Sequence, residues 1–152
     1  MLGAIFVAVL FLQLLRFMTF SEDNISKQID TENPSWEFIR NSLTKIDPTL
    51  KSYFILSDNL TYYVQCAGSK TRLTVEYRKL LGETFKHFIL GNKINEKLEE
   101  KKWDQIDCKV GPIQVYDTEV LTISDAENIF KSFYEKGDKP QHYSYRDVTE
   151  QF

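Results

Sequence analysis

A catalytic site in this 152-residue chain would have to be assembled from His87, His142, Cys66, Cys108, Asp117 and Glu119. A cysteine hydrolase needs a thiolate in a partly exposed, electropositive pocket with an imidazole in hydrogen-bond reach. Cys66 instead alternates with Val64 on the apolar side of a strand pattern, which makes it a small core residue. Neither cysteine belongs to a Cys-x-x-Cys pair, so no zinc or redox motif is present. His87 lies between Lys86 and Phe88 with no second histidine or carboxylate at ligand spacing, the pattern of a packed or half-exposed strand residue rather than a metal ligand. The six glycines are scattered and none forms a phosphate-binding loop after a strand, Gly68 reading as a turn residue. The expectation is a protein with no catalytic residues, no metal and no cofactor.

The element that positions most of the remaining polar side chains is the block Tyr62–Arg78, two alternating strands joined by a polar turn. Tyr62, Val64 and Cys66 share one face of the first strand, and Leu73, Val75 and Tyr77 one face of the second. Arg72, Thr74, Glu76 and Arg78 point the other way. That outer face, with Tyr63 and Gln65, reads either as a binding surface, because Tyr and Arg are enriched in interface hot spots, or as a charged cross-strand ladder that solubilises the sheet.

Around this hairpin the chain alternates helix and strand signals. Asn33-Pro34 starts a helix to about Lys45, with Asn33 as N-cap and Trp36, Ile39 and Leu43 as its buried stripe. Ser52–Leu56 and Phe85–Leu90 read as strands. The segment from Ile94 to Trp103 fits either a helix, through Ile94 and Leu98, or a charged hairpin arm. A further strand is expected at Pro112–Tyr116, starting at the proline or lying at an edge. Ser124 and Glu127 read as a capping box. The helix they start would lay Ala126, Ile129, Phe130, Phe133 and Tyr134 on the sheet and leave through Gly137. Tyr143–Phe152 adds a strand or a final turn in which Val148 and Phe152 pack together. The sum is an α+β fold, an antiparallel sheet of about four to six strands with two main helices on it, preceded by an N-terminal hydrophobic helix.

Residues 1–20 form a hydrophobic leader, 21–33 a polar linker and 34–152 a single domain. The run Leu2–Leu15 is broken only by Gln13, and Phe17, Met18 and Phe20 extend it past Arg16. It lacks a basic n-region and a small-x-small cleavage pattern, so a signal anchor fits better than a cleaved signal peptide. Arg16 and Lys27 on its C-terminal side favour a cytoplasmic domain. Translation from Met18 is the alternative and gives a soluble cytoplasmic protein. The chain is 42% hydrophobic and 14% aromatic, compatible with a packed interior rather than disorder. All 22 acidic residues and all but one of the 19 basic ones follow the leader. The resulting mild acidity, without a basic stripe, argues against a nucleic-acid partner. Cys66 and Cys108 both fall in strand-like segments and pair only if those strands are neighbours in an oxidising space. The triplets Asn24-Ile-Ser and Asn59-Leu-Thr are acceptor sequences only in a secreted eukaryotic chain.

Five pieces of the chain carry a family resemblance: Tyr63–Gly68, Leu73–Arg78, Phe85–Phe88, Glu119–Ala126 and Ile129–Tyr134. Together they are similar to small bacterial immunity proteins found beside polymorphic and contact-dependent toxins. The leader departs from that family's usual cytosolic form. What the resemblance implies is a protein that binds and neutralises a cognate toxin domain by occlusion, without catalysis. Because many such toxins are basic nucleases, the partner-binding candidates are Tyr63, Glu76 and Arg78 on the hairpin with the acidic residues Glu96, Glu99, Glu100 and Asp104. A membrane-tethered accessory or ligand-binding domain is the alternative.

Overall fold

The computed structural model describes residues 17–25, 27–58, 62–93 and 100–152. Strands β1 (Thr19–Asn24) and β2 (Lys27–Glu32) come first, then helix α1 (Trp36–Leu43) and the strands β3 (Tyr53–Ser57), β4 (Tyr62–Gly68), β5 (Leu73–Leu81) and β6 (Thr84–Asn92). A two-stranded ribbon, β7 (Trp103–Ile106) with β8 (Ile113–Tyr116), leads to α2 (Ile123–Lys136) and β9 (Tyr143–Asp147). Short 3-10 turns at Asp117–Glu119 and Thr149–Gln151 flank the last helix and strand. The main sheet has seven strands in the order β2-β1-β3-β4-β5-β6-β9, every neighbour antiparallel.

The α+β class therefore stands, with more strands than the four to six expected. The additional strands come from residues expected to be leader and linker. Thr19–Asn24 and Lys27–Glu32 form a hairpin, and β1 also pairs with β3, Phe20 standing opposite Leu56. A polar composition misled here because β2 is a sheet-edge strand whose polar side chains face water, while β1 hides only Phe20 and a few small or paired polar groups. The expected N-terminal hydrophobic helix falls on residues 1–16, outside the described residues, and on 17–20, of which Thr19 and Phe20 are strand. Among the described residues no helix is long and apolar enough to cross a membrane.

One sheet face carries the main core. Phe20, Phe54, Leu56, Val64, Cys66, Leu73, Val75 and Tyr77 meet Ile39 and Leu43 of α1 and Ala126, Ile129, Phe130 and Phe133 of α2. Trp36 packs at the edge of this cluster against the Tyr134 ring, centroids 5.9 Å apart. Both helices begin at other residues than expected. Asn33 has φ +46 and its amide and side chain clasp Met18, so Ser35 caps α1 by accepting from the Phe38 N–H at 3.2 Å. At α2 the Asp125 carboxylate accepts from the Thr122 N–H and hydroxyl at 2.9 and 2.8 Å, while Glu127 turns to Arg40 at 3.6 Å. Gly137, at φ +70, ends that helix as its position demands.

The opposite face, read from alternation either as a binding surface or as a solvated ladder, is covered in part. Thr74, His87 and Ile89 on it are buried. The β7–β8 ribbon and its loop reach it at three points: Arg72 to Asp104 at 2.8 Å, Lys109 to the buried Asp23 at 2.7 Å, and Arg146 over the Tyr116 ring at 4.7 Å. Cys108 lies in that loop rather than in a strand. Its thiol and that of Cys66 are both free.

If β1 is part of the folded unit, truncating its buried ring must be costly. Phe20→Ala is expected to lower unfolding stability by about 3–5 kcal/mol in urea titration, against roughly 1 kcal/mol or less for Ile29→Ala on the edge strand. Equal, negligible effects would return residues 19–32 to the status of a linker.

Candidate functional site

Strand register assembles the polar group on the second face. Tyr63 stands opposite Arg78, Arg78 opposite His87, and Gln65 opposite Glu76. Side chains so paired lie about 4.5–5.5 Å apart at Cβ on one face, which brings three strands' polar residues into one cluster. Glu76 Oε2 accepts from Gln65 Nε2 at 2.7 Å and lies 2.6 Å from His87 Nε2. His87 Nδ1 accepts from Arg78 Nε at 2.9 Å. The tautomer that satisfies both contacts carries its hydrogen on Nε2 and donates it to Glu76.

Above this pair the Arg78 guanidinium sits among three aromatic rings, 4.3 Å from the Phe85 centroid, 5.0 Å from Phe152 and 5.4 Å from Tyr63. Burial raises the Tyr63 phenol above its ordinary range, against the opposing influence of Arg78. The chain's C-terminal turn closes the cluster. The Val148 N–H donates to the His87 carbonyl, the His87 N–H to Thr149 Oγ1, and the Phe152 ring lies 4.3 Å from the imidazole. Asp147 fastens that turn through the Thr149 hydroxyl and N–H and through Lys86, and these bonds lower its carboxyl to about 2.

No family model matches the chain, and no curated protein matches it.

The expected partner-binding residues divide into three groups. Tyr63, Glu76 and Arg78 are together in the cluster just described. Asp104 is held by Arg72, and Glu100 lines a separate cleft, so these two do not share one acidic patch. Glu96 and Glu99 lie outside the described residues. The cleft, of about 940 Å³, opens beside the β6–β9 edge between Lys93, Lys101, Lys139, Tyr145 and Arg146. In its wall Glu119 is buried, bonds Arg146 through both oxygens at 2.5 and 2.7 Å and accepts from the Tyr116 N–H at 2.8 Å. Sequence reasoning missed Phe85, Phe152 and the pairing of His87. A register drawn through the Gly82 turn would have placed His87 opposite Arg78; nothing local signals that Phe152 folds back.

The side chains considered for catalysis are dispersed. Full burial pushes the Cys66 thiol up to about 12, on the core face, away from the imidazole of His87. Asp117 caps the Thr118 N–H at 2.8 Å, and His142 is exposed beside Tyr143. Among the described residues no group of three or more His, Cys, Asp or Glu is placed to hold a metal ion.

Two outcomes follow from this bonding. Glu76→Ala leaves Gln65 and the buried His87 without their acceptor and should cost about 2–4 kcal/mol in chemical denaturation, with Glu76→Gln costing clearly less. For Asp147 the folded carboxyl is depressed from 3.8 to about 2, so its stabilisation is present above the unfolded value and lost as pH falls through the folded one. The gap in thermal midpoint between wild type and Asp147→Asn should be constant above about pH 5 and close between about pH 4 and pH 2.

Proposed function

We propose that this chain is a non-catalytic binding protein that recognises a protein partner, and that the partner is a cognate bacterial toxin domain occluded in the manner of an immunity protein. The observation that supports the reading most is the Arg78 guanidinium held among Tyr63, Phe85 and Phe152. Arginine and aromatic side chains are the groups on which interface energy concentrates. A guanidinium whose orientation is already fixed by His87, itself fixed by Glu76, loses little freedom on meeting a partner.

The immunity form of the reading rests on the resemblance of Tyr63–Gly68, Leu73–Arg78 and the three later pieces, and on charge. A chain of net charge −3 would be steered toward a basic toxin domain. Glu100, beside the cleft, with Glu96 and Glu99, would supply the acid contacts, while Asp104 would contribute only by leaving Arg72. We place the domain on the cytoplasmic side, tethered by the leader. A protein started at Met18 would be soluble and would still keep Met18 and Phe20 in the core.

A second reading, a membrane-tethered accessory or ligand-binding domain, is favoured by the 940 Å³ cleft, whose size is that of small-molecule sites.

Co-expression of the full chain with the toxin-like C-terminal domain encoded beside it tests the first reading. Cell survival together with a co-purifying complex is expected, and the Tyr63→Ala/Arg78→Ala pair should weaken that complex by about tenfold or more. Neither rescue nor a complex would remove the immunity reading and leave the ligand-binding one.

A further inference from the structure

The end of the sheet from which the chain leads back to the leader carries exposed apolar side chains, Phe17, Leu80 and Leu81. Pairing places Thr19 opposite Ser57, Ser57 opposite Tyr63, Tyr63 opposite Arg78 and Arg78 opposite His87, one row across the sheet. Phe17 emerges at this row, 65% exposed. The β5–β6 hairpin runs on past it. Among the described residues, pairing with β4 runs to Lys79, opposite Tyr62, and pairing with β9 to Phe88, with Leu80–Phe85 lying beyond both. Leu80 and Leu81 in that stretch are 40% and 48% exposed. They point to opposite sides of the hairpin, so each face of the tip carries one leucine. Gly82, at φ +64, turns the tip, and a side chain there would touch nothing within 4 Å.

We propose that this end docks on the surface of a lipid bilayer, with Leu80, Leu81 and Phe17 entering the headgroup region beside the inserted leader. This inference rests on the leader's membrane insertion as read above and adds a second point of contact to it.

Chain length supplies the first argument. Phe20 and Met18 are spent in the protein core, which leaves the run Leu2–Leu15. Even fully helical, those residues would rise only about 21 Å against a hydrocarbon core of about 30 Å. A leader that short holds a protein at the membrane more firmly when a neighbouring apolar surface enters too, just as a single short acyl chain needs a second signal. Phe17 directly continues the leader, so the tip and the leader reach the same bilayer without a span to cross.

Charge supplies the second. Lys79 and Lys86 flank the tip, Lys79 lying over the Tyr62 ring at 5.3 Å and Lys86 paired with Asp147 at 3.0 Å. On docking, these ammonium groups would meet lipid phosphates, that of Lys86 by leaving Asp147. Glu83 is the single acid of the tip, and it shares the turn with Gly82 rather than the Leu80–Leu81 surface. Tyr63 and Arg78 project from the sheet face, at right angles to the direction in which the tip extends. Docking by Leu80, Leu81 and Phe17 therefore leaves Tyr63 and Arg78 open and holds them close to the headgroups.

The test is co-sedimentation of the full chain with phosphatidylcholine vesicles, pure and with about a quarter phosphatidylglycerol, using wild type, the tip variant Leu80→Glu/Leu81→Glu and the leader variant Val9→Asp/Phe11→Asp.

 Circular dichroism and thermal unfolding confirm that each variant is folded. Wild type is expected to bind both vesicle types, more tightly with phosphatidylglycerol, and the tip variant to lose about tenfold or more while keeping its unfolding midpoint. In vesicles of brominated lipid, Leu81→Trp should show quenching beyond that of the two native tryptophans. A tip variant that binds as wild type does, with no added quenching, overturns the docking surface and leaves the leader as sole anchor. Wild type that fails to bind, like the leader variant, overturns membrane insertion and the docking surface together.

Discussion

The register of β4, β5 and β6 is the constraint on which the rest depends, and Glu76 is where it is enforced. Its carboxylate is shared by Gln65 from one neighbouring strand and His87 from the other. A slip of one residue on either side would turn Glu76, Arg78 or His87 into the apolar core and bring Tyr77, Val75 or Phe88 out to the polar face. Burying a carboxylate without partners costs several kcal/mol, so a misregistered sheet is penalised on both faces at once. The apolar face alone would tolerate many packings. The polar face admits one.

That division of labour explains the two layers. On the helix side, α1 and α2 cover the sheet through non-directional contacts among Ile39, Leu43, Ile129, Phe130 and Phe133. On the other side, the contacts are directional: Arg72 with Asp104, Lys109 with Asp23, and Arg146 with Glu119. Directional bonds fix where the ribbon and the C-terminal turn sit, and with them the Arg78 surroundings and the cleft wall. The Glu119–Arg146 pair has a double role. It ties β9 to the turn after β8, and it holds the guanidinium under the Tyr116 ring, its acidity further weakened by the buried carboxylate.

Much of the core was legible in the sequence because it rests on local period. The alternation of Val64, Cys66, Leu73, Val75 and Tyr77 and the helical spacing of Ala126, Ile129, Phe130 and Phe133 each report burial directly. Helix starts were read less well, since Asn33 and Ser124 are good caps by type but Asn33 was needed to close the β1–β2 hairpin onto Met18. The N-terminal strands were missed for a related reason. Met18 and Phe20 look like the end of an apolar run, and only pairing with β3 reveals them as core. At the candidate site, Tyr63, Glu76 and Arg78 were visible as one face of a hairpin, whereas Phe152 reaches Arg78 through a fold-back separated from it by most of the C-terminal half. No local pattern encodes such a contact.

The same geometry is the physical ground for proposing that the cluster serves recognition. A general base must be free to accept a proton from a substrate, yet both nitrogens of His87 and the facing oxygen of Glu76 are already engaged within the protein. Their bonds spend the cluster's polarity on orienting Arg78 rather than on a reacting atom. What remains outward is the aromatic rim of Tyr63, Phe85 and Phe152, a surface of fixed shape with one immobilised cation at its centre. On the proposed reading, such a surface would gain affinity by being in place before a partner arrives, because the entropy of ordering its side chains has been met during folding.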